Sequence, residues 1–457
     1  MIPGVVVAGT HSGAGKTTVA LGIMSLLVKG GYRVQGFKVG PDYIDPSFYK
    51  GITGRAGENL DIWMTSPEAI RRIYREAGAG AELAVVEGVM GLYDGARGDG
   101  ETGSTAQIAK ILGLPVILVV DAHGMARSAA AVIKGFTGFD PGVRFGGIVF
   151  NRVGGERHRR MLSEAAKGVT GVRVLGYLTK DAAVALPERH LGLVPFYENP
   201  DFPRILEKLA VLFENAIDPV VLKEIFNEPS ANGGVLPPYN PKQPSVRIGI
   251  ARDEAFGFYY EDNLRMLQRE GAELVGFSPL RDCHLPPDLG GLYIGGGYPE
   301  LFAGQLAANI SLKTELAAST GQGMPVYAEC GGLMYLGDQL KTPGGEYPMA
   351  GILPLKLEMT SKREALGYAE VTAVNDNLLL KKGQTARGHE FHYSRIVYSG
   401  QIKPAYSVNS GGTVRQEGFV KNNLLASYIH LHFASNPETV RSFVARCREF
   451  KGGSYGH

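Results

Sequence analysis

The chain has 457 residues, 44% apolar and 20% charged, which excludes a single small binding module, a disordered chain and a membrane-embedded one. With 47 Lys and Arg against 45 Asp and Glu, the formal net charge is +2, so no global field draws nucleic acid or an anionic membrane, and any anion must be held locally. Three cysteines, Cys283, Cys330 and Cys447, are too few and too scattered for a disulfide framework or a paired zinc site.

The first residues, MIPGVVVAGTHSGAGKTT, lack a basic leader, and no later apolar run reaches the roughly 18 residues of a membrane span. The expectation is a cytoplasmic protein, neither exported nor membrane-spanning. Short β-branched runs then alternate with helix-like stretches: Val5 to Ala8, Arg33 to Val39, Leu83 to Val86, Val116 to Val120 and Gly147 to Phe150. Near-continuous apolar strands of this kind belong to a parallel sheet covered on both faces.

After the first run comes a Gly-rich turn, then Lys16, Thr17, Thr18 and a helix-like stretch. Gly13 and Gly15 let backbone N–H groups curl around phosphate oxygens, Lys16 supplies a point charge, and Thr17 can reach a magnesium ion. The strict spacing of a phosphate loop is not met, because Thr10 stands six before Lys16 and Gly9 one place earlier.

Acidic groups follow at strand ends. FKVGPDYIDPSFY places Lys38 at the end of the second strand with Asp42 and Asp45 in the loop beyond, and VVEGVMGLYDG places Glu87 at the end of the third with Asp94 after it. Loops at the carboxyl ends of strands in an open α/β sheet converge on one crevice, so these groups should meet the phosphate loop. Hard oxygen ligands beside Thr17 suit magnesium, with Thr17, Asp42 and Glu87 as the candidate set. Asp42 and Asp45 also read as turn formers. Asn151, closing GGIVFNR, reads either as a strand-end cap or as a reader of the nucleotide base.

Around Asn227 to Val246 the chain turns to Pro, Gly and Asn without apolar periodicity, which is linker chemistry. The expected organisation is an ATP-binding, carboxylate-activating domain over 1–228, a linker over 229–245 and a second α/β domain over 246–457. Beyond the linker come RIGIA, a helix from Phe258 to Gly271, GLYIGG, a helix to about Thr320, and MPVYAECGGLMYL. The last runs from strand through Cys330 to Gly331-Gly332 and helix, a sharp turn that exposes a nucleophile, with a helix N-terminus to favour thiolate. YIGGGYPE offers N–H groups for an oxyanion hole. LLASYIHLHFAS puts His430 and His432 on one face of a strand, either one a general base for Cys330. His389, His392, His430 and His432 have spacings that could also bind zinc, a reading made unnecessary if Cys330 accounts for the histidines.

The turn Gly9-Thr10, four residues, Gly15-Lys16-Thr17 resembles the dethiobiotin-synthetase-like group of loop ATPases. Partitioning ATPases of that group carry a Lys where this chain has His11, which disfavours a nucleotide switch. The Cys330 turn, the glycine run and the late His resemble triad-class glutamine amidotransferase domains, whose acid stands two residues after the His, at the place of His432. With GPDYIDP, EGVMGLYDG, RGHEFHYS and SYIHLHF, the chain resembles the cobyrinic acid a,c-diamide synthase family along nearly its full length.

That resemblance implies an α/β fold of two domains, each a mostly parallel sheet with helices on both faces, the first like a P-loop NTPase and the second like a class I glutamine amidotransferase. It implies an amidoligase of cobalamin biosynthesis that activates the a and c acetates of cobyrinic acid as acyl phosphates, with ATP as co-substrate and Mg2+ as cofactor. Cys330, His430, His432, Asp45 and Asp94 would be catalytic. Gly13, Gly15, Lys16, Thr17, Thr18, Lys38 and Asn151 would bind the nucleotide, and an enclosed path would carry ammonia between domains. The alternatives keep the chemistry on hydrogenobyrinic acid or nickel-sirohydrochlorin, or make the chain a nucleotide switch. The partners expected are small molecules, with neither nucleic acid nor membrane, and a homodimer is left open.

Overall fold

The computed structural model describes residues 1–167, 169, 171–179, 188–189, 192–193, 196, 201–227 and 242–453. Its chain forms two compact units, Met1–Pro238 and Tyr239–His457. Of the expected linker 229–245, residues 229–241 lie outside the described residues. Among the described residues no helix is long and apolar enough to cross a membrane.

The first unit is built from β1 (Gly4–Gly9), α1 (Lys16–Lys29), β2 (Val34–Val39), α2 (Asp45–Thr53), β3 (Glu58–Leu60), α3 (Pro67–Ala77), β4 (Leu83–Gly91), α4 (Thr105–Leu112), β5 (Val116–Asp121), α5 (Ser128–Phe139), β6 (Phe145–Val153), α6 (Glu156–Lys167), β7 (Val174–Thr179), a short pair β8 (Glu188–Arg189) and β9 (Gly192–Leu193), α7 (Phe202–Ala216) and α8 (Pro219–Phe226). The seven-stranded sheet has the order β3-β2-β4-β1-β5-β6-β7, and its pairings are parallel.

Side chains alternate across a strand, so GVVVAG of β1 feeds two cores at once. Val6 and Ala8 pack with Ile70, Ile108, Ile133 and Leu162 on one face, and Val5 and Val7 with Ile23, Leu209 and Phe213 on the other. Each Val, Ile, Leu or Phe so buried stabilises the fold by about 1.5–3 kcal/mol. Gly22 is required where α1 meets α7, since a Cβ there would lie 2.2 Å from the Phe213 ring.

Strands β3, β7 and the short pair β8 and β9 are additional to the five expected runs, and because the three-residue β3 precedes Leu83, Glu87 belongs to the fourth strand and sits inside it. Gly88 interrupts the apolar run and Met90 takes a left-handed φ of +49°, with a break in register between Val7 and Gly9, yet pairing resumes where Gly91 meets Gly9.

In the second unit, β10 (Val246–Ala251), β11 (Ala272–Phe277), β12 (Leu289–Ile294), β13 (Val326–Glu329) and β22 (Leu424–Ser427) run parallel in the order β11-β10-β12-β13-β22. Antiparallel β21 (Thr413–Lys421), β20 (Lys403–Ser410), β17 (Ala365–Ala373), β18 (Thr385–His392) and β23 (His430–Leu431) extend that sheet. β14 (Gln339–Thr342), β15 (Gly345–Pro348), β16 (Leu355–Met359) and β19 (Ser394–Ser399) make a separate four-stranded sheet.

Helices α9 (Glu261–Arg269), α10 (Ala303–Ala308), α11 (Ile310–Gly321), α12 (Gly331–Leu336) and α13 (Glu438–Lys451) complete the unit. The helix expected up to Thr320 is broken: a 3-10 turn over Pro299–Phe302 and α10 precede α11, whose cap is the Asn309 side chain on Leu312 N–H. LLASYIHLHF is not one strand either. β22 stops at Ser427, β23 pairs His430 with His389 on a different neighbour, and His432 caps a 3-10 turn, so alternation does not govern the two histidines.

Candidate functional site

The loop between β1 and α1 is shaped by two left-handed glycines, Gly13 at φ +80° and Gly15 at φ +99°, values that side-chain-bearing residues avoid. Lys16 opens α1, and its Nζ donates to the His11 carbonyl at 3.2 Å. Burial, then the nearby Lys38 charge, lower its pKa against the pull of Glu87, Asp45 and Asp94. A phosphate would relieve that repulsion. Thr17 Oγ1 donates to Glu87 Oε1 at 2.5 Å, and Thr18 is half-buried in the same turn.

Lys38, at the end of β2, places Nζ 2.6 Å from Asp45 Oδ2 and 2.8 Å from Glu87 Oε1. Burial opposes its charge, but the two carboxylates outweigh burial and hold the ammonium. Glu87 is fully buried, yet donors on Lys38, Thr17 and Tyr49 keep its carboxyl below the usual range. Asp45 shares the same ammonium with fewer donors, so burial and then the adjacent Asp42 charge push its carboxyl up. Competition for one cation thus separates two acids.

Asp42 Oδ1 accepts the N–H groups of Ile44 and Asp45 at 2.8 and 3.0 Å, so one of its oxygens shapes the turn into α2. Asp45 is the first residue of that helix. Asp94 Oδ2 accepts Gly91 N–H at 2.8 Å, beside the Gly9–Gly91 pairing. The amide of Asn151 is engaged with the protein: Nδ2 donates to the Ala14 carbonyl at 3.0 Å and Oδ1 accepts Arg152 N–H at 2.9 Å. In this geometry Asn151 holds the phosphate loop.

Among the described residues no three His, Cys, Asp or Glu side chains form a metal-holding group. Magnesium keeps several waters and takes phosphate oxygens, so it asks for one or two protein oxygens, and the Thr17–Glu87 pair fits that demand.

Two further residues had no signal in the sequence. Tyr49 donates its hydroxyl to Glu87 at 2.6 Å, although it reads as an ordinary apolar helix position. Arg152, at φ +58°, joins the Gly13 carbonyl at 3.0 Å to Asp121 at 2.6 Å.

In the second unit, β13 ends at Glu329 and Cys330 turns the chain at φ +47°, ψ −100° before α12. A left-handed non-Gly residue stores on the order of 1–3 kcal/mol, which here the surrounding packing holds in place. Cys330 N–H is fixed on the Ser427 carbonyl at 2.8 Å. The turn needs both following glycines: a Cβ would lie 3.0 Å from Gly297 N at Gly331, and 2.2 Å from the Ile294 carbonyl oxygen at Gly332.

The expected pull of the helix N-terminus toward thiolate is present but outweighed. Burial, then the Glu300 charge, push the Cys330 thiol well up, and the Gly331 N–H offsets only part of that. A base is therefore required.

His430 is buried, its ring stacked on His389 at 4.9 Å and its Nδ1 3.6 Å from Glu329 Oε2. A Cβ on Gly296 would lie 2.5 Å from His430 Cε1, so one glycine run touches both the cysteine turn and the imidazole. His432 accepts Ala434 N–H on Nδ1 at 3.3 Å and lies against Tyr260. The remaining histidines are engaged as well: His389 Nδ1 with the Tyr260 hydroxyl at 2.6 Å, His392 with the Ser394 carbonyl and Glu390.

Residues 5–194 match the family described as CobQ/CobB/MinD/ParA nucleotide binding domain, and residues 247–438 match the CobB/CobQ-like glutamine amidotransferase domain. Three relatives named cobyrinate a,c-diamide synthase align along almost the whole chain. The protein of Priestia megaterium is 42% identical, covering 98% of this chain and 97% of its own. That of Gloeobacter violaceus is 45% identical, over 97% and 96%, and that of Archaeoglobus fulgidus 43%, over 98% of both.

Proposed function

The chain belongs to the cobyrinate a,c-diamide synthase family, and from that premise we propose that it converts the a and c acetate carboxylates of cobyrinic acid to amides, using ATP and glutamine. It is a glutamine-dependent amidotransferase ligase of cobalamin biosynthesis.

In the first unit, Gly13, Gly15 and Lys16 cradle the triphosphate, with Thr18 beside them and Asn151 and Arg152 bracing the loop from behind. Thr17 and Glu87 would hold magnesium, with one Asp42 oxygen beside them, and the ion would supply charge neutralisation on the phosphates. Lys16 and Lys38 offset the repulsion between a polycarboxylate and ATP. A substrate carboxylate oxygen attacks the γ-phosphorus, ADP leaves, and an acyl phosphate results. Positioning supplies most of the rate in such transfers. Ammonia attacks the acyl carbon, inorganic phosphate departs, and the proton shed by nitrogen passes to Asp45, the acid pushed up beside Lys38. Asp94 lies at the edge of the same loop and helps seat the substrate.

In the second unit, His430 takes the Cys330 proton as sulfur bonds to the glutamine carboxamide carbon. The N–H groups of Gly297 and Gly331, at the cysteine turn, would receive the developing oxyanion. His430 returns the proton to nitrogen, ammonia leaves, and water cleaves the thioester to glutamate. His432 supports the histidine layer through Tyr260.

The observation supporting this reading is the presence on one chain of a phosphate loop whose Thr17 meets Glu87 and a strained cysteine backed by His430. The test is mass spectrometry of products after incubation with ATP, glutamine and either cobyrinic acid, hydrogenobyrinic acid or nickel-sirohydrochlorin. Two successive acid-to-amide changes on cobyrinic acid, with one ADP per amide, are expected. Preference for another macrocycle would replace the substrate, and amidation of none would overturn the proposal.

A further inference from the structure

Glu329 immediately precedes Cys330 and is fully buried. Its Oε1 accepts the Tyr327 hydroxyl at 2.5 Å and Leu431 N–H at 3.1 Å, and its Oε2 accepts the Tyr293 hydroxyl at 2.9 Å. Such donors are what a buried carboxylate needs. A carboxylate offers about four acceptor directions, so these three donors leave one, on Oε2. Oε2 is the atom that lies 3.6 Å from His430 Nδ1.

The far edge of the imidazole faces the other way. A Cβ on Gly296 would stand 2.5 Å from Cε1 and 3.3 Å from Nε2, and the next residue, Gly297, has its nitrogen against the cysteine turn. One ring thus spans from the buried acid to the nucleophile's loop.

We propose that Glu329 is the positioning residue of the glutamine half-reaction, holding His430 with Nδ1 protonated and Nε2 directed to the Cys330 thiol. The proposal rests on the Cys330–His430 reading above and assigns the acid that His432 does not supply. When sulfur attacks the carboxamide carbon, the S–H bond breaks, the proton passes to Nε2, and the imidazolium shares its Nδ1 proton with Glu329 until Nε2 delivers its own to departing nitrogen. The acid comes from the strand before the nucleophile because β12 and β13 pair Tyr293 with Tyr327, building a hydroxyl pair around it. Other titratable groups around the ring are His389, stacked on it and pushed toward its neutral form by burial and then by His430 and His432, and the two tyrosines, whose hydroxyls burial keeps protonated.

Glu329→Gln in the full chain is expected to lower glutamine-dependent kcat by about 10^4-fold, as loss of the orienting acid does in hydrolytic triads, while KM for glutamine and ammonia-dependent amidation are retained. The pH midpoint for Cys330 alkylation by iodoacetamide should rise, read against Cys330→Ser, because the imidazolium partner of the thiolate loses its counter-charge. Glu329→Asp should recover part of the rate. Unchanged kcat and alkylation profile would overturn the proposal, as would equal loss of ammonia-dependent activity with a lowered Tm, which marks a folding role. Should the variants not fold, 15N NMR of histidine-labelled native protein, with His430 assigned from His430→Gln, decides the matter: Nδ1 should be protonated throughout, and a bare Nδ1 refutes it. Glutamine-dependent activity surviving in Cys330→Ala would instead sink the Cys330 reading, a distinct outcome.

Discussion

Thr17 donates its hydroxyl to Glu87 at 2.5 Å, tying the first turn after the phosphate loop to a carboxylate 70 residues away inside the sheet. Glu87→Gln takes the anion from Lys38, Thr17 and Tyr49 together. Amidation with either glutamine or ammonia should fall at least about 100-fold, as expected when a preorganised charge is removed. Alkylation of Cys330 should be unaffected. A variant retaining ammonia-dependent turnover would separate Glu87 from the phosphate chemistry.

Asp45 lies 2.6 Å from Lys38 Nζ and is the carboxyl that burial and Asp42 push up. Asp45→Asn keeps the shape and removes the proton acceptor. Steady-state product formation should slow by about 100-fold with both nitrogen sources, the lower end of what general bases contribute. Unaltered turnover with ammonia would take Asp45 out of the reaction.

Cys330 lies at φ +47° in a buried turn. Cys330→Ala should abolish amidation from glutamine and leave amidation from free ammonia near the native rate, measured as ADP release and product mass. Loss of both activities would contradict the division of labour between the units.

Glu417 accepts the Ser427 hydroxyl at 2.5 Å and Tyr428 N–H at 2.7 Å, beside the carbonyl that anchors Cys330 N–H. Burial pushes its carboxyl from 4.5 up to about 7 despite those bonds. Between those values the folded state binds a proton that the unfolded chain has released, so stability should decline as pH rises through the window. The contribution is at most about 3 kcal/mol, and smaller to the extent that water reaches the carboxyl. Urea midpoints at pH 5 and pH 8 should differ less in Glu417→Gln than in the native protein, and equal differences would exclude this residue as the source.

Much of the architecture was legible because it depends on local chain chemistry. The run GVVVAG followed by glycines and Lys16 specifies strand, turn and helix with little help from the rest of the molecule, and the same is true of MPVYAECGG. Glu87 was found on the right run, Leu83 onward, but that run was counted as the third strand and not the fourth, since Glu58–Leu60 is too short to leave a period. The two late histidines were grouped by alternation, whereas the chain leaves the sheet between Ser427 and His430.

The sequence by itself determined the strand-turn-helix units, the positions of Lys16, Thr17 and Cys330 on them, and the segment of changed composition ahead of the second α/β unit. Only the tertiary structure decided which acids meet which cations: that Tyr49 and Thr17 converge on Glu87, and that Glu329 approaches His430. The reason is physical. Turns and strands follow from torsions and burial of neighbouring residues, while the protonation of a buried acid depends on donors that sheet register brings from distant parts of the chain.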